Sequence, residues 1–310
     1  MEKPIFCSEE ILSKDLSKLT FIVTGSTSGI GLEVVKQIAR QSANIVMACK
    51  NFTLANRIKE EIIESSNNKN IEVIELNLSS LDSIKLFVKK FLSSYDELHG
   101  LINNAGIYSK SYQKTLNGYE SNFGVNHLGP FLLTYLLLDV LKKTNMSRII
   151  NTSSALHLKS NLNFQDFNFE NYKFNSLLAY ANSKMANLLH AKYLAIYLKN
   201  FNITSVSLHP GWICSGINKD LIYKFLMKTI LKPYYHFRGV ITPWEGAQTT
   251  LHSLISNDVL KHNGEYFSQS GAYLRKEDRK GGWPIKSPHY TANDEKLAED
   301  LWNLSLKLVL

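Results

Sequence analysis

Tyr180 and Lys184 stand four residues apart in the run Tyr180-Ala181-Asn182-Ser183-Lys184. On a helix that spacing puts both side chains on one face, about one turn apart. An ammonium beside a phenol favours the phenolate, and would draw the tyrosine below its unperturbed pKa of ~10 towards the working pH. Such a pair can pass a proton to or from a substrate oxygen. Alone, Tyr-x-x-x-Lys is common and usually marks two surface residues, so its weight depends on what accompanies it.

A second chemical feature lies near the start of the chain. Thr24-Gly25-Ser26-Thr27-Ser28-Gly29-Ile30-Gly31 places three glycines between an apolar run, Leu19 to Thr24, and a segment with helical apolar spacing, Ile30 to Gln41. At such a junction backbone can approach a pyrophosphate closely, and the helix N-terminus offers amide donors to it. A glycine triplet by itself also reads as a flexible turn; the strand-to-helix setting favours a dinucleotide. A site for NAD would carry an acidic side chain at the end of the next strand, whereas a 2′-phosphate needs a cation there. The sequence has Cys49-Lys50-Asn51, with no Asp or Glu between Ile45 and Lys59. Lys50, with Arg57 as a second candidate, would meet the 2′-phosphate of NADP(H); the other reading of Lys50 is an exposed lysine without a ligand.

The elements that must position these residues follow a regular order. Strands are predicted over 19–24, 44–49, 71–76, 98–103, 147–152 and 203–208. Helices are predicted over 30–41, 53–65, 81–94, 119–142 and 179–199. Alternation of this kind predicts an α/β chain with a doubly wound parallel sheet, a Rossmann fold, in a single domain. Beyond Pro210 the pattern weakens to a helix after Pro243, a short strand near 264–267 and a last helix about 292–306. Residues 1–18 read as an N-terminal extension to the domain at 19–310.

Composition narrows the classes. With 310 residues, 44% hydrophobic and 20% charged, the chain is long enough and apolar enough to bury a large core. Lys and Arg exceed Asp and Glu by 35 to 27, but they are spread along the chain without a nucleic-acid fold signature, so no nucleic-acid partner is expected. Cys7, Cys49 and Cys214 have neither pairing nor ligand spacing, so neither a disulfide framework nor a metal site is expected. Met1 to Leu19 is neither a signal-peptide core nor a span, and the apolar stretch Leu128 to Leu141 is shorter than the ~20 residues a crossing needs.

Taken in order, these motifs resemble the short-chain dehydrogenase/reductase family over roughly Leu19 to Phe267. Asn103-Asn104-Ala105-Gly106 is similar to the family's Asn-Asn-Ala-Gly motif, and Asn126 in Gly124-Val125-Asn126-His127 to its catalytic asparagine. Ser154 in Asn151-Thr152-Ser153-Ser154 matches the catalytic serine, with Ser153 as a register alternative. Pro210-Gly211 matches the turn before the nicotinamide. The resemblance implies that Ser154 holds and polarises a carbonyl oxygen, Tyr180 moves its proton, Lys184 stabilises phenolate and bonds the nicotinamide ribose, and Asn126 fixes a water between Lys184 and solvent. It implies cofactor contacts at Gly25, Ser26, Ser28, Gly29, Ile30, Gly31, Lys50, Asn77, Leu78, Asn104, Ala105, Gly106, Tyr180, Lys184, Pro210, Gly211, Trp212, Ile213 and Ser215. Three positions depart from the usual pattern: Lys50 for arginine, Asn77 for aspartate, and Ser215 for threonine. The Asn77 amide oxygen is expected to accept the adenine hydrogen bond in place of the carboxylate.

Within the family, Ala48-Cys49-Lys50, Asn126 to Phe131, His209-Pro210-Gly211 and Thr242 to Ala247 look most like the retinol dehydrogenase-like and X-linked dehydrogenase/reductase-like members. That likeness implies a lipophilic alcohol or carbonyl substrate, retinoid-, steroid- or polyisoprenoid-like. It also implies a place in the cytosol or peripherally on the cytoplasmic side of the endoplasmic reticulum membrane. The apolar, basic stretch 212–242 reads either as a lid packed on the core or as an element resting on an anionic bilayer. Relatives often pair through helices corresponding to 119–142 and 179–199, which leaves a homodimer open. His127, His157 and His209 read as structural. The competing class is a catalytically silent NADP-binding regulatory or scaffold protein of the same fold.

Overall fold

A computed structural model describes residues 4–171, 173–213, 240–269 and 282–310. Strand β1 (Thr20–Thr24) is buried at every position, as a central parallel strand with helices over both faces must be. It pairs in parallel with β2 (Asn44–Cys49) on one side and β4 (Gly100–Asn103) on the other. Outside them lie β3 (Ile71–Glu75), β5 (Ser147–Thr152) and β6 (Ile203–His209). The order is β3-β2-β1-β4-β5-β6, closed by the late strand β9 (Tyr266–Ser268) parallel to β6. The chain is a single-domain α/β protein with a seven-stranded, doubly wound sheet, and its order reverses between β1 and β4, where ligands bind in such folds.

Two apolar cores flank the sheet. One packs α2 (Gly29–Arg40), α3 (Phe52–Ser66) and α9 (Pro243–Ile255) against it; the other packs α4 (Leu81–Leu92), α6 (Gly129–Leu136), α8 (Ser176–Tyr197) and α10 (Glu295–Val309). Local chemistry starts these helices cleanly. Asn51, Ser80, Asn175 and Asp294 each accept a backbone N–H in the first turn of α3, α4, α8 and α10. Thr242 and Glu245 form a reciprocal capping box on α9, with Pro243 at its first position.

The predicted helix over 119–142 is not continuous. It divides into a short turn α5 (Ser121–Phe123), a π-helical turn at Gly124–Leu128, α6, and α7 (Leu138–Lys143). The π turn ends where Gly129 lets the helix touch the Leu78 loop: a Cβ on Gly129 would lie 2.6 Å from the Leu78 carbonyl oxygen. Helix α10 lies along α8 and α6, with the Trp302 ring 4.9 Å from Phe131 and 5.1 Å from both Tyr193 and Tyr197.

The N-terminal segment is held in place by glutamines far away in sequence. Gln269 donates to and accepts from the Ile5 backbone, Gln248 accepts from Cys7 N–H, and Gln37 and Gln41 donate to the Leu12, Ile11 and Lys14 carbonyls. Helix α1 (Glu9–Ser13) thus packs against the domain as part of it. Among the described residues no helix is long and apolar enough to cross a membrane.

Candidate active site

The glycine turn is fastened to the loop after β4 on one side and open on the other. Thr24 Oγ1 accepts from the backbone of Asn104 and Ala105, both at 3.0 Å, and Asn104 Nδ2 donates to the Thr24 carbonyl at 2.9 Å. Gly25 has φ +66°, and a Cβ there would lie 2.9 Å from Ala105 Cα; one on Gly31 would lie 2.5 Å from the Gly25 oxygen. Gly29, at φ +58°, faces open space. Ser28 caps α2 by position only, with no side-chain bond to the first turn, so the amides there point outward unclaimed by a cap. This is a cradle a phosphate fits. The Ser26 hydroxyl is buried against Cys49 Sγ at 2.9 Å, which leaves Ser26 its backbone to offer the expected cofactor contact.

Lys50 is exposed at the end of β2, and no acidic side chain among the described residues forms an ion pair with it. Arg57 is engaged one helical turn along α3 by Glu61, at 3.9 Å. Asn77 does not stand as expected. Its Oδ1 accepts from Ser79 N–H at 3.2 Å and Ser79 Oγ at 2.8 Å, so both lone pairs are used and the side chain presents its NH2 donors. Leu78 beside it is buried.

At the end of β5 the two adjacent serines have different partners. Ser153 is buried and donates Oγ to the Lys184 backbone carbonyl at 2.7 Å. Ser154 is partly exposed, caps the 3-10 turn Ala155–Lys159 by accepting from Leu156 N–H at 3.2 Å, and its hydroxyl acts to lower the Tyr180 phenol. Lys184, buried on the same face of α8, donates Nζ to the Thr152 carbonyl at 3.0 Å, with the ammonium 5.6 Å from the Tyr180 ring centre. Asn187, the next turn along, donates to the same carbonyl at 3.0 Å.

The electrostatics differ from expectation. Burial pushes the Tyr180 phenol up to about 12, partly opposed by the Ser154 hydrogen bond and reinforced by Tyr108. Burial also brings Lys184 down to about 8. The desolvation that raises the phenol outweighs any help from Lys184, because a dry site penalises charge on both groups. Tyr180 is therefore a neutral phenol near pH 7, in the form of a proton donor.

Ser154, Tyr180 and Lys184 thus come together near the glycine turn of a doubly wound sheet, and the chain as a whole is similar to known proteins. The family described as short chain dehydrogenase matches residues 19–224. The chain belongs to the short-chain dehydrogenases. Retinol dehydrogenase 12 of Mus musculus is 36% identical over 288 residues, covering 93% of this chain and 85% of that one. A chloroplastic short-chain dehydrogenase, TIC 32 A of Brassica napus, is 35% identical over 306 residues, covering 96% and 90%. Among solved structures, an uncharacterised protein of Mycobacterium Paratuberculosis superposes with TM-score 0.75 at 26% identity, covering 96% of this chain and 95% of that one. As a short-chain dehydrogenase of this kind, the protein is an oxidoreductase of alcohols and carbonyls that works with a nicotinamide cofactor.

In this short-chain dehydrogenase Asn126 sits in the π turn with both side-chain polar atoms engaged. Oδ1 accepts from Ile107 N–H at 2.7 Å, while Nδ2 donates to the Ile107 carbonyl and to Ser183 Oγ, both at 2.9 Å. The amide clamps the loop after β4 to α8, and Oδ1 keeps a second lone pair beyond the Ile107 bond. Gly106 makes room for this packing, since a Cβ there would lie 3.2 Å from both Asn126 Oδ1 and Lys184 Nζ.

Pro210-Gly211 turns the chain out of β6 with Gly211 at φ +92°, and Trp212–Ile213 pairs in parallel with Val240–Ile241 as a small separate ladder, β7 and β8. Ser215 and most of the predicted lid over 212–242 lie outside the described residues. His127, His157 and His209 are buried, and burial lowers them to about 3, 4 and 3. His157 is bonded to the Ser154 carbonyl at 2.6 Å and Ser287 Oγ at 2.7 Å, a supporting part. Residues that sequence reading missed include the Thr24 hydroxyl and the Thr152 carbonyl, whose partners lie far away in the chain, and Tyr108 and Glu120.

Proposed function

We propose that this short-chain dehydrogenase is an NADP(H)-dependent oxidoreductase that interconverts a hydrophobic alcohol with its aldehyde or ketone. The observation that carries the reading is the placing of Tyr180 one helical turn from the buried Lys184, whose ammonium lies 5.6 Å from its ring centre, with the Ser154 hydroxyl among the groups that act on the phenol. In the reductive direction the Ser154 hydroxyl holds the substrate's carbonyl oxygen and polarises it. Tyr180 delivers its phenolic proton to that oxygen as charge develops there, and Lys184 stabilises the phenolate left behind. Asn126 acts as a positioning residue, through the Ile107 loop and Ser183. The nicotinamide, when bound, supplies or accepts the hydride.

The residues assigned to hold that cofactor are the backbone of Gly25, Ser26, Ser28, Gly29, Ile30 and Gly31 for the pyrophosphate and Lys50 for the 2′-phosphate. Asn77 and Leu78 are assigned to the adenine, and Asn104, Ala105, Gly106, Pro210, Gly211, Trp212, Ile213 and Ser215 to the nicotinamide side. The preference for NADP(H) rests on Lys50 in a stretch without carboxylates; the lysine neutralises phosphate as a point charge, without arginine's planar fork.

A lipophilic substrate is supported by exposed apolar side chains on segments that flank the site, Ile107, Leu177 and Trp212, and by the names of the related retinol dehydrogenases. Substrate selectivity is assigned to the lid at about 212–242. The same relatives suggest a cytosolic or peripheral endoplasmic reticulum location. Purified protein assayed with NADPH and NADH in parallel against retinal, a steroid ketone, a polyisoprenoid aldehyde and simple aldehydes tests the reading. Turnover favouring NADPH and lipophilic carbonyls is expected, and Tyr180→Phe should abolish it while cofactor binding persists. Tight NADPH binding without oxidation by any carbonyl would instead favour a silent regulatory role.

A further inference from the structure

Tyr108 is placed with more care than a loop residue needs. Its neighbours on both sides are pinned by side chains one helical turn apart: Ile107 by Asn126, and Ser109 by Asn122, whose Oδ1 accepts the Ser109 N–H at 2.8 Å. Asn122 is itself fixed by Glu120, a carboxylate of 0% exposure that accepts from Asn122 Nδ2 at 2.7 Å, Asn122 N–H at 2.9 Å and Phe123 N–H at 2.8 Å. Burying a carboxylate is costly unless its lone pairs are satisfied, and here they are spent on holding this turn.

Between the two pinned residues the Tyr108 ring stands edge-on to Tyr180, with centroids 5.2 Å apart and planes at 69°. Its hydroxyl lies 3.3 Å from Ser176 Oγ, one turn before Tyr180 on α8. Backbone clamps, a favourable aromatic contact and a tether at the far end leave the ring little freedom to swing away.

We propose that Tyr108 is a specificity-determining residue of the carbonyl reaction: its fixed ring walls the site beside Tyr180, admitting carbonyls with a hydrogen or a flat unsaturated carbon on that side and turning away branched ones. This rests on the function proposed above. A flat group can lie along a fixed ring, whereas a branched carbon needs the volume the ring occupies. A change of one or two methyl groups against such a wall is worth about 10-fold or more in kcat/KM.

The test uses the full-length chain with NADPH and two substrates, the conjugated aldehyde 2-octenal and the branched ketone 3,3-dimethyl-2-butanone, in wild type, Tyr108→Ala and Tyr108→Phe. NADPH dissociation constants are measured in parallel by fluorescence. The wild type should favour the aldehyde. Tyr108→Ala should shift the ratio of kcat/KM towards the ketone by about 10-fold or more with NADPH affinity unchanged, and Tyr108→Phe should keep it within about twofold. Tyr108→Leu serves the same comparison if the alanine variant does not fold. A ratio unchanged in a folded, NADPH-binding Tyr108→Ala or Tyr108→Leu protein overturns the proposal, as does an equal loss with both substrates. A wild type that reduces neither these two carbonyls nor any of the wider panel overturns the underlying function, and this inference with it, before any variant is compared.

Discussion

Ser153 donates its hydroxyl to the backbone carbonyl of Lys184 at 2.7 Å. The serine next to the reactive one is thus a strut between β5 and α8, and the two hydroxyls should separate cleanly in kinetics. Ser154→Ala removes a group assigned to the carbonyl oxygen and should lower kcat by about 10² to 10³-fold with stability nearly unchanged. Ser153→Ala strands a buried acceptor and should cost ~1–3 kcal/mol of stability, read from urea unfolding, with a smaller loss of kcat. The reverse pattern would exchange the two roles.

The pH profile should carry the mark of Lys184 and not of Tyr180. The lysine is lowered to about 8 and the tyrosine raised to about 12, each chiefly by burial. For carbonyl reduction the phenol stays protonated across the accessible range, while the ammonium that stabilises its conjugate base is lost above about pH 8. The kcat/KM for reduction should therefore hold through neutrality and fall on the alkaline side of pH 8. Lys184→Arg should lower the plateau and move the limb upward, because a guanidinium does not deprotonate in this range. A limb that stays put in that variant would assign it to another group.

Lys50 offers a direct test of cofactor choice. The side chain is exposed and free of ion pairs with the described acidic residues, so replacing it should not disturb the fold. Lys50→Asp should lower kcat/KM for NADPH by at least about 10-fold, equivalent to ~1.4 kcal/mol, and raise it for NADH. Parallel saturation curves with the two cofactors measure this. Equal effects on both would mean that the lysine does not face the 2′-phosphate.

What could be read from the sequence was local. The runs at 19–24 and 44–49 are mostly apolar because buried parallel strands must be, and the glycine turn announces itself because Gly25 and Gly31 tolerate no Cβ. What escaped was decided by contacts between distant residues. The π turn that breaks the helix predicted over 119–142 puts Asn126 under Ile107 and ends where Gly129 meets Leu78, and helical periodicity carries no trace of either. Ser26 and Asn77 have the right types for cofactor contacts, yet Cys49 and Ser79 had the prior claim on their side chains. The expected lowering of Tyr180 failed because helical spacing brings Lys184 to the right face without saying how dry that face is.

The buried histidines predict acid sensitivity. His127, His157 and His209 have folded-state pKa values lowered to about 3, 4 and 3 by burial, against an ordinary value of 6.5. Below pH 6.5 the unfolded chain therefore binds protons that the folded chain refuses, so stability falls as pH falls, continuing until pH approaches the folded values. Between pH 6 and 5 the three together should cost on the order of 3 kcal/mol. Urea midpoints at pH 7, 6 and 5 measure the loss. Replacing His157 by glutamine, which keeps hydrogen-bonding groups but cannot titrate, should reduce the loss between pH 6 and 5 by about 1 kcal/mol. An unchanged midpoint from pH 7 to 5 would mean that these rings reach solvent and protonate within the folded protein.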